Sequence, residues 1–127
     1  PDAETKICDS FQIEDDWMGL DIGPKAIVSF QSVINGAGSV LWNGPMGVFE
    51  MAPFSKGTFA IAEAVAEATR EGAFSLVGGG DSVAALHQSG KYELVSHVST
   101  GGGATLELLQ GNPMPGIEAI KTVEKLR

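Results

Sequence analysis

The sequence predicts an α/β fold, a three-layer arrangement around a parallel sheet, and three observations predict it. Short apolar runs at 39–42, 74–77 and 95–98 have strand character. Each runs into a loop rich in glycine, at 43–47, 78–82 and 99–103. Helical apolar spacing returns after each loop. Strand, glycine loop and helix in repeated order is the signature of a parallel sheet with helical crossovers. Strands this short and apolar are expected to be covered on both faces. Right-handed crossovers would then bring all three loops to one edge of the sheet. A strand-like piece at 6–8 raises the count to four, against about six in a full doubly wound sheet, so the sheet reads as incomplete.

Along the chain, Lys6-Ile7-Cys8 comes first, with Cys8 read as a small core residue. Residues 9–16 are acidic and irregular, as in a surface loop. Pro24 suits the first turn of a helix. Ala26, Ile27, Phe30, Val33 and Ile34 then recur at helical spacing, giving a helix over 24–35 closed by Gly36. The strand at 39–42 feeds the stretch VLWNGPMGVFE (40–50), where Gly44, Pro45 and Gly47 force a tight loop. A second connection at 53–57 leads to a helix over 58–70. Its apolar stripe is Phe59, Ile61, Ala62, Val65, Ala66 and Ala68, with Glu63, Glu67 and Arg70 outside. The strand at 74–77 precedes a helix over 82–89 with Val83, Ala84 and Leu86 inward. The strand at 95–98 precedes a helix over 104–110. Gly111, Pro113, Pro115 and Gly116 break the chain, and 117–127 form a terminal helix or tail bearing Lys121, Lys125 and Arg127.

The 127 residues, 43% hydrophobic, suit one domain or part of a larger one. Eight basic against 16 acidic residues give a net charge of −8. That balance argues against nucleic acid or an anionic membrane as partner. It leaves phosphate ligands open, because backbone N–H groups at helix N-termini and a metal ion bind phosphate without a basic surface. No apolar run approaches the roughly 20 residues of a membrane span, and no signal peptide is visible. The one cysteine allows no intrachain disulfide, which fits a reducing compartment such as the cytoplasm. The chain starts Pro1-Asp2, so its natural N-terminus can lie upstream.

The chemistry sits in the loops. GGGDS (78–82) and STGGG (99–103) place bare backbone where a strand meets a helix N-terminus. Glycine lets N–H groups approach phosphate oxygens, and a helix end adds about half a positive charge. Asp81 either caps its helix or ligates Mg²⁺ beside phosphates. Ser82 either hydrogen-bonds phosphate or starts the helix. Asn43 either donates to phosphate or closes an Asx-turn. Glu50 either accepts from ribose hydroxyls or is solvated. His87 and His97 share no metal-ligand spacing and read as structural or surface residues. Neither a GxxxxGK[ST] element nor a GxGxxG fingerprint is present.

WNGPMGVFE (42–50), GGGDS (78–82) and STGGGATLELLQG (99–111) resemble phosphoglycerate kinase, with MGLDIGP (18–24) and PGIEAI (115–120) in agreement. The likeness runs through the whole chain but corresponds to the last third of a family member. It implies a Rossmann-like nucleotide-binding domain of which 1–127 is the C-terminal half, with 112–127 a tail. The implied reaction moves a phosphoryl group between 1,3-bisphosphoglycerate and ADP, with Mg²⁺, giving 3-phosphoglycerate and ATP. By similarity, Asn43 contacts the phosphate chain, Gly44 belongs to the nucleotide-binding set, Glu50 holds the ribose, Pro45 and Val48 flank the nucleoside, and Leu20 lines the adenine pocket. Asp81 binds the Mg-nucleotide, with Gly80 and Ser82 near the phosphates and Gly79 also in the nucleotide-binding set. Gly101, Gly102 and Gly103 face the transferring group, and Thr100 lies where the two domains of the family meet. The intact enzyme is expected to be a cytoplasmic monomer. The domain that holds phosphoglycerate and the lysine on the phosphates lie outside this sequence, so the isolated chain is expected to be inactive. The alternative is a stand-alone nucleotide- or phosphate-binding module without catalysis.

Overall fold

The computed structural model describes residues 3–124. Strands β1 (Ser39–Asn43), β2 (Phe74–Gly78) and β3 (His97–Ser99) form one parallel sheet in the order β1-β2-β3. Ser39 pairs with Phe74 and Asn43 with Gly78, and Gly78 pairs in turn with Ser99. The three strands therefore end on one row, Asn43–Gly78–Ser99. All three glycine loops leave from that row, as the crossover rule requires.

Helix α1 (Pro24–Asn35) precedes the sheet, α2 (Lys56–Arg70) joins β1 to β2, and α3 (Gly80–Ser89) leads from β2 toward β3. Strands that neighbour in chain order, joined by crossovers of one hand, place their helices on one face. The core lies there, where Trp42 and Val77 of the sheet meet Ile61, Ala62 and Val65 of α2 and Ala85 and Leu86 of α3. The opposite face carries Leu41 and Phe74, which are 46% and 54% exposed. Of the two helical layers expected around the sheet, α2 and α3 supply one.

A hydroxyl chain ties α2 to the sheet. Thr69 Oγ1 lies 2.6 Å from the Val65 carbonyl and 2.7 Å from Ser75 Oγ. Ser75 N–H donates to Ser96 Oγ at 3.1 Å, and Ser96 N–H donates to Ser75 Oγ at 2.9 Å. These side-chain bonds stand in for the first rungs of the β2–β3 ladder. Regular pairing accordingly starts at His97, not at the predicted Val95. A 3-10 turn at Tyr92–Leu94, which the sequence reading lacked, fills the gap, with the Tyr92 ring stacked on His87 at 4.0 Å.

Other expectations need correction. Residues 6–8 form no strand, so among the described residues the sheet has three strands and not four. Lys6 is occupied locally, paired with Glu14 at 2.7 Å and lying 4.0 Å over the Trp17 ring. Cys8 is exposed, because no core lies beneath that segment. Helix α3 starts at Gly80 and turns Ala85 inward in place of Ala84, keeping Ser82, Ala85 and Leu86 on one face. In α1 only part of the apolar stripe is covered: Ile27 and Ile34 are half-buried, Ile34 against the core, but Val33 is 72% exposed. Helices α4 (Gly103–Leu109) and α5 (Pro115–Glu124) complete the fold, and Lys125 and Arg127 lie outside the described residues.

Candidate functional site

The site begins where β1 ends. Trp42 is buried, and its Nε1–H donates to the Gly44 carbonyl at 2.6 Å, folding the first loop residues back over the strand. Gly44 N–H donates to Ser82 Oγ at 2.7 Å, across from the start of α3. Met46 and Gly47 N–H groups both donate to Thr58 Oγ1, at 3.0 and 3.2 Å, in the first turn of α2. Val48 N–H donates to the Leu20 carbonyl at 2.9 Å. Four amides of one loop thus find acceptors in three separate segments, so the loop is held without any regular ladder. Phe49 anchors it in the core, and Val48 and Glu50 point outward.

Asn43 closes the same row. Its side chain reaches over the second loop: a Cβ added at Gly79 would lie 3.1 Å from Asn43 Oδ1. Gly79 has φ +88°, a conformation side-chain-bearing residues avoid, and it serves as N-cap of α3 without a side-chain bond. The capping role open to Asp81 is therefore not what the structure shows. Asp81 sits inside the first turn, exposed, and its carboxylate has no hydrogen bond or ion pair among the described residues. Asn43 likewise makes no Asx-turn: its amide has no hydrogen-bond partner among the described residues. The first amide engaged within α3 is that of Val83, on the Gly79 carbonyl at 3.1 Å, which leaves the earlier N–H groups free of the helix ladder.

The third loop is internally braced. Ser99 Oγ lies 2.6 Å from Thr105 Oγ1 and accepts from Gly101 N–H at 3.1 Å. Ala104 and Thr105 N–H groups return to the Gly101 and Gly102 carbonyls, at 2.8 and 3.1 Å. Gly78 and Ser99 are ladder partners, so the second and third loops begin side by side.

The structure therefore joins Leu20 to Val48, Gly44 to Ser82, and Asn43 to Gly79. Pro45 is half-buried within the first loop, and Gly80 opens α3 with free space around it. Ser82 is fully buried and engaged with Gly44, so its hydroxyl fixes a loop and does not face outward. Glu50, Thr100 and Gly103 lie at the loops but make no hydrogen bond to the other residues named, among those described. Sequence reading passed over Asp21 and Thr58, whose only local signals are an acid before Gly23-Pro24 and a threonine opening a helix.

The resolved pKa shifts belong elsewhere. A side-chain hydrogen bond from Arg70 lowers the Glu67 carboxyl, and the same bond raises the Arg70 guanidinium. Both border a cavity of about 390 Å³ at the C-terminal end of α2, shared with Glu63, Glu93 and Leu94. That end of α2 feeds β2, so the cavity lies away from the row where the glycine loops leave. Three carboxylates in its wall make it unfit for phosphate.

Comparison with known proteins shows which family the chain resembles. The sequence profile of the family described as "Phosphoglycerate kinase" matches residues 1–112. The chain is 56% identical over 119 residues to the phosphoglycerate kinase of Chloroherpeton thalassium, covering 94% of this chain and 30% of that protein. It is 54% identical over 119 residues to "Phosphoglycerate kinase, cytosolic" of Nicotiana tabacum, with the same shares. Among solved structures, phosphoglycerate kinase from Coxiella burnetii superposes with a TM-score of 0.71 at 46% identity, over 78% of this chain and 25% of that one. The chain thus spans about three-tenths of the length of the curated relatives it matches.

Proposed function

The chain belongs to the phosphoglycerate kinase family, and on that premise we propose that it supplies the Mg-nucleotide side of the site. The reaction is phosphoryl transfer between 1,3-bisphosphoglycerate and ADP, giving 3-phosphoglycerate and ATP. The observation that carries this reading is the shared edge: three glycine loops leave from the row Asn43–Gly78–Ser99. Ligands of parallel α/β sheets bind at that carboxyl edge.

The first loop takes the nucleoside. Leu20, Pro45 and Val48 flank the base and sugar, and Glu50, exposed at the end of the loop, accepts from the ribose hydroxyls. Asn43 donates its free amide to a phosphate oxygen, beside the N–H groups of Gly79 and Gly80 at the start of α3. Ser82 contributes by holding Gly44 in place. Gly101, Gly102 and Gly103 offer backbone to the group in transfer, and Thr100 faces the domain boundary. Phosphoryl transfer asks chiefly for in-line positioning and for donors aimed at the equatorial oxygens, so no protein nucleophile is needed.

Mg²⁺ fits the residues present. Asp81 offers a hard carboxylate, exposed and unengaged, next to open space at Gly80. No cluster of three or more metal-ligating side chains occurs among the described residues. A cation held by one carboxylate, phosphates and water needs none. When bound it neutralises charge on the phosphates.

In this reading residues 1–127 are the C-terminal half of a nucleotide-binding domain and 112–127 its tail, and the end of the profile match at 112 supports that division. The phosphoglycerate, the rest of the same polypeptide and the cytoplasm follow as partners and setting, the last supported by the name of the tobacco relative. No helix among the described residues is long and apolar enough to cross a membrane. The test is coupled turnover of ATP with 3-phosphoglycerate, run on this sequence within a polypeptide of its relatives' length and on the 127 residues alone. Activity is expected from the first and none from the second, since positioning of the missing substrate can account for ~7–11 kcal/mol of barrier. Tight Mg-ADP binding by the short chain with no turnover from either would favour a stand-alone binding module.

A further inference from the structure

The segment Leu20-Asp21-Ile22 has no regular structure, yet two other parts of the chain converge on it, the first loop and the start of α2. Asp21 Oδ1 accepts from Ile22 N–H and Oδ2 from Gly57 N–H, both at 2.8 Å. Gly57 is the second residue of α2, and the N-cap of that helix, Ser55, makes no side-chain cap bond. A carboxylate 36 residues earlier in the chain therefore does the work of a cap. On its other side, Gly47 of the first loop packs so closely that a Cβ there would sit 2.5 Å from Asp21 Oδ1 and 2.6 Å from the Leu20 carbonyl. That carbonyl accepts the Val48 N–H. One carboxylate thus fixes the spacing between Leu20, the loop bearing Pro45 and Val48, and the start of α2, where Thr58 holds the same loop from below.

We infer that Asp21 is a positioning residue for the nucleoside: it touches no substrate but sets how Leu20 and Val48, joined by their backbone bond, are presented together to the base and sugar. This rests on the nucleotide reading above. The chemistry explains why the residue is an acid. Two N–H donors converge on one side chain, and a carboxylate offers an acceptor oxygen to each, whereas an amide offers one acceptor and one conflicting donor. Asp21→Asn keeps the shape and loses one of the two bonds.

The experiment compares wild-type and Asp21→Asn within a polypeptide of the relatives' length, well below both melting temperatures. The KM for ADP is expected to rise roughly tenfold, the size of one hydrogen bond to a charged group. The kcat and the KM for the phosphoglycerate substrate are expected to stay within about twofold of wild-type, since uniform binding alone is lost. A lowered melting temperature with an unchanged KM for ADP would overturn the inference, leaving Asp21 as a helix cap only. Equal rises in both KM values would also overturn it. If the variant does not fold, amide exchange in the wild-type decides. Coupling is reciprocal, so Mg-ADP must slow exchange at Gly57 and Val48, and unchanged exchange there sinks the idea. A wild-type polypeptide that neither turns over nor binds Mg-ADP fails the functional reading itself and removes the inference with it.

Discussion

Asp81 shows what a single residue can decide. Because Gly79, not Asp81, caps α3, deleting the carboxylate removes no cap bond. It removes one negative charge from a helix first turn, worth about 0.3–1 kcal/mol. Loss of a ligand to the nucleotide's cation would instead remove several kcal/mol of charge stabilisation. Asp81→Ala in the full-length context is therefore expected to lower kcat by about 100-fold or more while melting within a few degrees of wild-type. A variant that melts early and turns over normally would make the carboxylate a helix charge and nothing else. Asp81, Asn43 and Glu50 stand out in the sequence as candidates because each is a polar residue near glycines with nothing local to bind; the structure finds Asp81 in the first turn of α3 and Asn43 at the end of β1. The bracing contacts of Ser82, Asp21 and Thr58 are not legible in the sequence. Their partners are backbone amides of Gly44, Gly57, Met46 and Gly47, up to 38 residues away, and an amide leaves no trace in a one-letter string.

At the level of elements, periodicity placed α1 at its observed ends, and β1 and β2 to within a residue. It failed at β3, where Ser75 and Ser96 exchange side-chain bonds in place of ladder rungs, and at residues 6–8, where Lys6 finds Glu14 and Trp17 before any strand. Helix α3 began two residues earlier than its apolar spacing suggested, because Gly79 turns the chain sharply at φ +88°. That turn makes a prediction. Alanine at Gly79 must keep a positive φ with ψ 133°, a combination open essentially to glycine that costs roughly 1–3 kcal/mol, and must also push against Asn43 Oδ1. Gly79→Ala should lower the unfolding free energy by that amount, moving the urea midpoint down in proportion, and weaken Mg-ADP binding as well, since the strained turn presents both Asn43 and the first amides of α3. Calorimetric titration of the variant, with the midpoint measured in urea, checks both. Loss of stability with unchanged binding would separate the turn from the site.

For the whole molecule, the governing fact is a sheet with helices on one face. Leu41 and Phe74 on the open face, and Val28 and Val33 on α1, leave apolar surface in water. A polypeptide of these 127 residues alone should bind a hydrophobic dye such as ANS. Added polypeptide supplying the remainder of a full-length relative should quench that binding and restore turnover together. Dye binding that persists while activity returns would show that the open face is not where the remainder docks. The order β1-β2-β3 has a different consequence, in time and not in space. β2 and β3 each find a neighbour among residues already made, so the sheet can grow one strand at a time as the chain leaves the ribosome. The Asp21 carboxylate, synthesised first of all the parts it joins, waits for the helix it will cap.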